Sequence, residues 1–238
     1  MNMAHLVLPR ETRQRLRRAY DTLRFDVAMR RFIANPTAAL ASTSLLGELI
    51  ATWGNSGWSA QEGYLRECCA CALTSSGPTL ECGSGLSTLL LGVIGQQRGH
   101  QHWALEHLAE WALKVDRCAV RHRLRAVNVC TAPLRNYAGY VWYDPPLRRL
   151  PNQFALVVCD GPPAETAGGR YGLVPIMRNR LAPGCVILLD DAEREAERTI
   201  ARRWQLELGA THQLVADDKP FIRLVMPKRE LRSALKIA

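Results

Sequence analysis

After Pro78 the chain alternates short apolar runs with segments long enough for helices, and that alternation leaves few folds open to it. The apolar runs cover residues 79–82, 102–105, 124–129, 154–159 and 185–189, while residues 87–97, 107–118, 171–181 and 193–208 suit helices. Strands separated by helices pair in parallel through right-handed crossovers, and a parallel sheet needs cover on both faces. The expected domain is therefore α/β, a mostly parallel sheet with helices on either side. Its close is different. Residues 211–215 and 221–226 are joined by Ala216-Asp217-Asp218-Lys219-Pro220, a loop too short for a crossover, so a C-terminal antiparallel hairpin is expected.

Upstream, Leu16, Tyr20, Leu23 and Val27 recur at helical spacing within residues 11–32, with arginines between them. That predicts an amphipathic helix whose apolar stripe needs a partner. Further helices are expected over 37–53 and 60–73, separated by the turn-rich Gly54-Asn55-Ser56-Gly57-Trp58-Ser59. The chain thus reads as an N-terminal helical extension with a loop over 1–76, and one continuous core over 77–238.

With 47% hydrophobic and 22% charged residues in a chain of 238, the composition is that of a soluble globular protein. No secretory apolar segment opens the sequence and no run approaches the roughly 20 residues that span a bilayer, which predicts a cytoplasmic protein without a membrane span. The formal charge of +9 is uneven: residues 1–31 hold eight arginines against three acids, and residues 227–238 hold four bases against one acid. The core between them is nearly neutral, which argues against a nucleic-acid face there. Cys82, Cys159 and Cys185 lie in apolar runs, and Cys68, Cys69 and Cys71 lack a second ligand pair at zinc spacing, so neither disulfides nor zinc are expected.

The chemistry concentrates at strand ends. Leu80-Glu81-Cys82-Gly83-Ser84-Gly85-Leu86-Ser87-Thr88 joins the first core strand to a helix. A Gly-x-Gly turn at a helix N-terminus aims backbone N–H groups at a ligand, and the missing side chains let it approach. The third glycine of a dinucleotide-binding loop would fall on Thr88, so that fingerprint fails. Glu106 ends the second strand, where a carboxylate either accepts both hydrogen bonds of a ribose diol or opens the next helix with a favourable charge. Asp160 ends the fourth strand, and Asp190 and Asp191 the fifth. Neighbouring parallel strands share one crevice at their carboxyl ends, so these acids should converge there, as a hard-cation site or as a source of a general base. Asp191 has the further option of capping the helix that follows. Residues 164–171 read as a flexible segment over the crevice, with Arg170 placed to clamp an anionic group on a substrate or simply to face solvent. His100 and His102 precede a strand and read as structural.

Taken together these residues resemble the class I S-adenosylmethionine-dependent methyltransferases, and within them the small-molecule, catechol O-methyltransferase-like branch, over residues 57–226. The resemblance implies a Rossmann-like methyltransferase fold with a seven-stranded type of sheet, and S-adenosyl-L-methionine as cofactor. It implies that Glu81, Gly83, Ser84, Gly85 and Ser87 hold the methionine part, Glu106 the ribose and Thr131-Ala132 the adenine, with Trp58 on a covering loop and Asp160 also against the cofactor. Magnesium ligands would map onto Asp160, Asp190 and Asp191. The lysine base that the branch carries three residues after the first ligand is Pro163 here, so no metal ligand is assigned and a divalent cation enters only conditionally. Asp160-Gly161-Pro162-Pro163 and Asp144-Pro145-Pro146-Leu147 both depart from the (Asp/Asn)-Pro-Pro-aromatic signature of amino-group methyltransferases, which again disfavours nucleic acid. Catalytic roles fall to Asp160, Asp190 and Arg170, and the expected reaction is methyl transfer to an oxygen or nitrogen of a small molecule. The alternatives are an RNA or protein methyltransferase using the basic terminal segments, and an inactive cofactor-binding scaffold.

Overall fold

The structure is a computed structural model that describes residues 9–54, 60–217 and 219–228. Trp58 and the rest of the expected covering loop lie outside the described residues, as does most of the basic C-terminal segment. The chain divides into two compact units, Met1–Ser59 and Ala60–Ala238.

The first unit is helical. α1 (Arg10–Ala34) packs against α3 (Thr43–Trp53) through Phe25, Ala28, Met29 and Phe32, with the Phe25 and Trp53 rings 5.4 Å apart. The stripe of Leu16, Tyr20, Leu23 and Val27 expected to find a partner is exposed instead. Both sets repeat at three-to-four spacing, and the one that begins and ends with a phenylalanine is the one buried. The helix expected over 37–53 is broken. Asn35 caps α2 (Pro36–Ala41) by accepting a hydrogen bond from the Ala38 N–H at 3.0 Å, Pro36 takes the first helical position, and the extended backbone of Ser42 separates α2 from α3.

The second unit begins with α4 (Glu62–Thr74), which buries Tyr64, Leu65, Cys68, Cys69, Cys71 and Ala72. It packs on the next helix and on the sheet. None of the eight cysteines forms a disulfide, and all but Cys118 are buried, in the manner of small hydrophobes. The strands follow as β1 (Thr79–Cys82), β2 (His102–Glu106) and β3 (Val127–Thr131), with α5 (Leu86–Arg98) and α6 (Ala109–Arg121) between them. After β3 come a small hairpin of β4 (Leu134–Tyr137) and β5 (Tyr140–Tyr143), then β6 (Phe154–Cys159), α7 (Leu173–Met177), β7 (Leu181–Leu189), α8 (Glu195–Leu208), β8 (Thr211–Val215) and β9 (Phe221–Val225). The main sheet has the order β3-β2-β1-β6-β7-β9-β8. It is parallel except for β9, which runs antiparallel to both β7 and β8, as the short connecting loop requires. From β1 the chain winds outward through β2 and β3, then returns to place β6 on the other side of β1, so a crevice opens where β1 and β6 end.

Two segments differ from the sequence pattern. The helix expected over 171–181 is a 3-10 turn (Gly169–Gly172), the short α7 and a second 3-10 turn (Arg178–Arg180), and β7 starts at Leu181. Positive φ at Gly168 and Gly169, and Pro175 inside the segment, interrupt a longer helix. The β4–β5 hairpin stands where a crossover helix was not assigned and no strand was expected; its two-residue turn, Ala138-Gly139, has Gly139 at φ +95°. Trp142 and Tyr143 are fully buried, and the 3-10 turn packs so closely on β5 that a Cβ on Gly172 would collide with the Trp142 side chain. Gly172→Ala is expected to cost about 1–3 kcal/mol through overpacking. Urea denaturation checks this, and an unchanged midpoint would show that Trp142 has room to move.

Candidate functional site

β1 delivers the glycine turn to the crevice. Gly83 has φ +100°, a conformation that favours glycine, and its N–H donates to the Leu105 carbonyl at 2.9 Å. The Cys82 carbonyl accepts from the Asp160 and Gly161 N–H groups at 3.1 and 2.8 Å, tying the ends of β1 and β6 together. A Cβ on Gly161 would collide with the Tyr143 hydroxyl, so the hairpin closes directly over the Asp160-Gly161 corner. Beside Gly85 the space is open: a Cβ there would meet nothing within 4 Å.

Glu81 lies beneath this turn, fully buried. Its carboxylate accepts from Ser87 Oγ, from Thr88 Oγ1 at 2.5 Å and from His102 Nε2 at 3.3 Å, while His102 Nδ1 pairs with Thr79 Oγ1 at 2.7 Å. With Glu81 accepting from Nε2–H, Nδ1 is left to accept from the threonine hydroxyl. Glu81 and Ser87, expected to meet a ligand directly, are thus placed in a buried network that fixes the first turn of α5. His102 was not expected in it. Parallel pairing opposes Thr79 to His102, and that register is what brings the imidazole under the turn.

Glu106 stands at the tip of β2. One oxygen accepts from Ser84 Oγ at 2.9 Å, and the other accepts from the Leu108 N–H at 2.9 Å with His107 Nδ1 3.1 Å away. The Ser84 carbonyl accepts from Trp111 Nε1 at 2.8 Å, so α6 holds the turn from the far side. Ala132 follows β3, is fully buried, and donates its N–H to the Glu106 carbonyl at 2.7 Å. The structure therefore brings Gly83, Ser84, Gly85, Glu106 and Ala132 to neighbouring strand ends. A carboxylate with lone pairs to spare beside an open glycine turn fits a ligand that has both a ribose diol and a polar end.

Asp160, Asp190 and Asp191 do converge: one carboxylate oxygen from each lies within 4.8 Å of the others. Their neighbours are cations of the chain itself. Arg170 is 2% exposed and lies below the acids, so it is neither on a flexible cover nor available to clamp a substrate. It donates to the Asp190 carbonyl at 2.8 Å, the Asp160 carbonyl at 2.7 Å and Asp191 Oδ2 at 2.5 Å, with Asp160 Oδ1 at 3.4 Å and Glu197 Oε1 at 4.0 Å from it. Lys219 reaches in from the β8–β9 loop, its Nζ 3.2 Å from Asp190 Oδ2 and 2.5 Å from Asp191 Oδ1. Asp191 has φ +61° and does not cap α8, which begins four residues later. Arg170, Lys219 and Arg194 hold its carboxylate instead, which offsets the cost of the left-handed backbone. With both Asp190 and Asp191 taken by cations, this donor set does not fit a divalent ion.

The charges sort the acids. Burial acts to raise Asp191, yet Arg170 and Lys219 prevail and hold it below the ordinary carboxylate range. Asp190 is raised by burial against the pull of Lys219. Burial pushes the Asp160 carboxyl up to about 8, helped by its acidic neighbours and opposed by Arg170. Asp160 is also the member with access to the crevice, 31% of its side chain being exposed, whereas Asp190 has none. Because folded Asp160 holds its proton more tightly than the unfolded chain, its contribution to stability is complete below pH 3.8 and is lost as pH rises through about 8. An Asp160→Asn variant, which mimics the protonated carboxyl, should match the wild type below pH 3.8 and become the more stable of the two as pH rises towards about 8. Urea titrations across that range check the sign, and a wild type that gains on the variant with rising pH would contradict it.

No family model matches the chain, and no curated protein matches it. Solved structures do. An SAH-bound methyltransferase of Podospora anserina aligns with a TM-score of 0.57 at 13% identity, over 95% of this chain and 100% of its own. An O-methyltransferase from Bacillus cereus in complex with SAH gives 0.52 at 16% identity, over 78% and 91%. A precorrin-6y C5,15-methyltransferase from Geobacter metallireducens gives 0.51 at 14% identity, over 72% and 90%. At such identities the likeness speaks for architecture alone: the chain has the Rossmann-like fold of the class I methyltransferases.

Proposed function

We propose that the protein transfers a methyl group from S-adenosyl-L-methionine to an oxygen or nitrogen of a small molecule. The observation that carries this reading is the placement of an open glycine turn, the Glu106 carboxylate and the crevice-facing Asp160 at the ends of adjacent parallel strands. When bound, the sulfonium cofactor supplies an activated methyl group. Glu106 holds the ribose diol in place of its present bond to Ser84, and the backbone of Gly83 and Gly85 lines the methionine end. Asp160 orients the acceptor and takes its proton, a task suited to a carboxyl whose proton affinity is raised by burial. Asp190 and Arg170 act through Asp160 and Asp191 by fixing where those carboxylates stand, so the chain contributes position and charge more than covalent chemistry.

Among the described residues no helix is long and apolar enough to cross a membrane. Eight cysteines without a disulfide suit a reducing compartment such as the cytoplasm. Calorimetry with S-adenosylhomocysteine tests the cofactor, and absence of binding at millimolar ligand would end the reading. Incubation with methyl-labelled S-adenosylmethionine and fractionated cell extract tests the acceptor, with label expected in the low-mass fraction. The exposed basic helix α1 favours RNA or an acidic protein as the second reading, and label in either of those fractions would replace the first.

A further inference from the structure

We propose that Lys219 is the resident cation of this site, standing where the catechol-type arrangement would place a divalent ion; its role in the reaction, though not its geometry, rests on the methyl-transfer reading. The lysine comes from the β8–β9 loop, far in sequence from Pro163, where the branch's lysine would be expected. Its ammonium contacts Asp190 Oδ2 and Asp191 Oδ1, so two of the three carboxylates that would ligate a metal are held by it. Arg170 takes the other oxygen of Asp191 from below. Three carboxylates thus face Lys219, Arg170 and Arg194, and an entering divalent ion would have to displace the lysine.

The loop that carries Lys219 is itself seated. At the start of α4, a Cβ on Gly63 would overlap the Asp217 carboxyl, so that helix and this loop approach as closely as glycine allows. Pro220 anchors the other end by accepting the Ala192 N–H at 2.8 Å, next to the aspartates. Only 26% of the lysine side chain is exposed, and its ammonium keeps one N–H beyond the two carboxylate contacts.

The test is Mn2+ binding to the full chain, read by the EPR signal of free Mn2+, with and without S-adenosylhomocysteine. The wild type should leave Mn2+ free up to about 1 mM, and Lys219→Met should gain one bound ion at least about tenfold more tightly, because three carboxylates then face only Arg170 and the half-exposed Arg194. Lys219→Gln is run in parallel, so that a folding defect in one variant does not decide the result. One Mn2+ bound by the wild type below roughly 0.1 mM and lost in Asp190→Asn would overturn the proposal, as would the absence of any gain in both lysine variants. Calorimetry with S-adenosylhomocysteine on the same wild-type preparation reads the cofactor assignment separately. Its failure would sink the methyl-transfer reading and leave the Mn2+ result standing.

Discussion

Arg170→Met is expected to lower stability by about 3–5 kcal/mol, the cost of leaving buried charges without their partner. For a chain of this size that is roughly 6–20 °C in melting temperature. Methionine keeps much of the apolar stem and so isolates the loss of the guanidinium. The planar group satisfies two backbone carbonyls and a carboxylate at once, and its Nε lies 4.0 Å from Glu197 Oε1. Arg170→Lys should recover a minor part, since one ammonium cannot reach three separate acceptors in a fork. Arg202→Met, at an exposed position of α8, should stay within about 0.5 kcal/mol and serves as the comparison. Thermal and urea denaturation decide it. A loss below about 1 kcal/mol for Arg170→Met would show that the guanidinium is not the hub of this cluster.

Glu106→Ala should weaken S-adenosylhomocysteine binding by about 100-fold, or some 2.7 kcal/mol. The reasoning is that each hydrogen bond to a charged group is worth about 1.5–3 kcal/mol, and a ribose diol offers two. Part of that is returned because Ser84 and the Leu108 N–H must give up or share their present bonds to the carboxylate. Glu106→Gln keeps the shape and one acceptor and should fall between the two. Calorimetry on the three proteins measures this directly, and equal tight binding by all of them would remove Glu106 from the ribose.

Strand tips were legible because apolar runs bounded by glycine and proline mark where a parallel strand stops, and the residue that follows is set by that stop. Glu106 and Asp160 were found in this way. Residues whose role depends on register or on a returning loop were not. Nothing local to His102 distinguishes it from any histidine that opens a strand; its link to Glu81 exists only once β1 and β2 pair. Lys219 lay within a loop whose length was read correctly, but its reach to Asp190 depends on how the hairpin packs against β7. Arg170 sits among glycines that suggest mobility, and the acids that bury it come from the ends of β6 and β7 and from α8. The β4–β5 hairpin had a signal, aromatic and β-branched residues flanking Ala138-Gly139, weaker than an Asn-Gly turn would have made it.

That hairpin has a consequence for how a protein of this kind can diversify. Its ladder closes on itself as a two-stranded sheet, separate from the seven-stranded one, while Tyr143 at its end touches Gly161 beside Asp160. Its exposed residues, Arg135, Asn136, Ala138 and Gly139, take no part in the pairing of the main sheet. The main sheet and the hairpin can therefore drift under separate selection, with the hairpin as the exchangeable part.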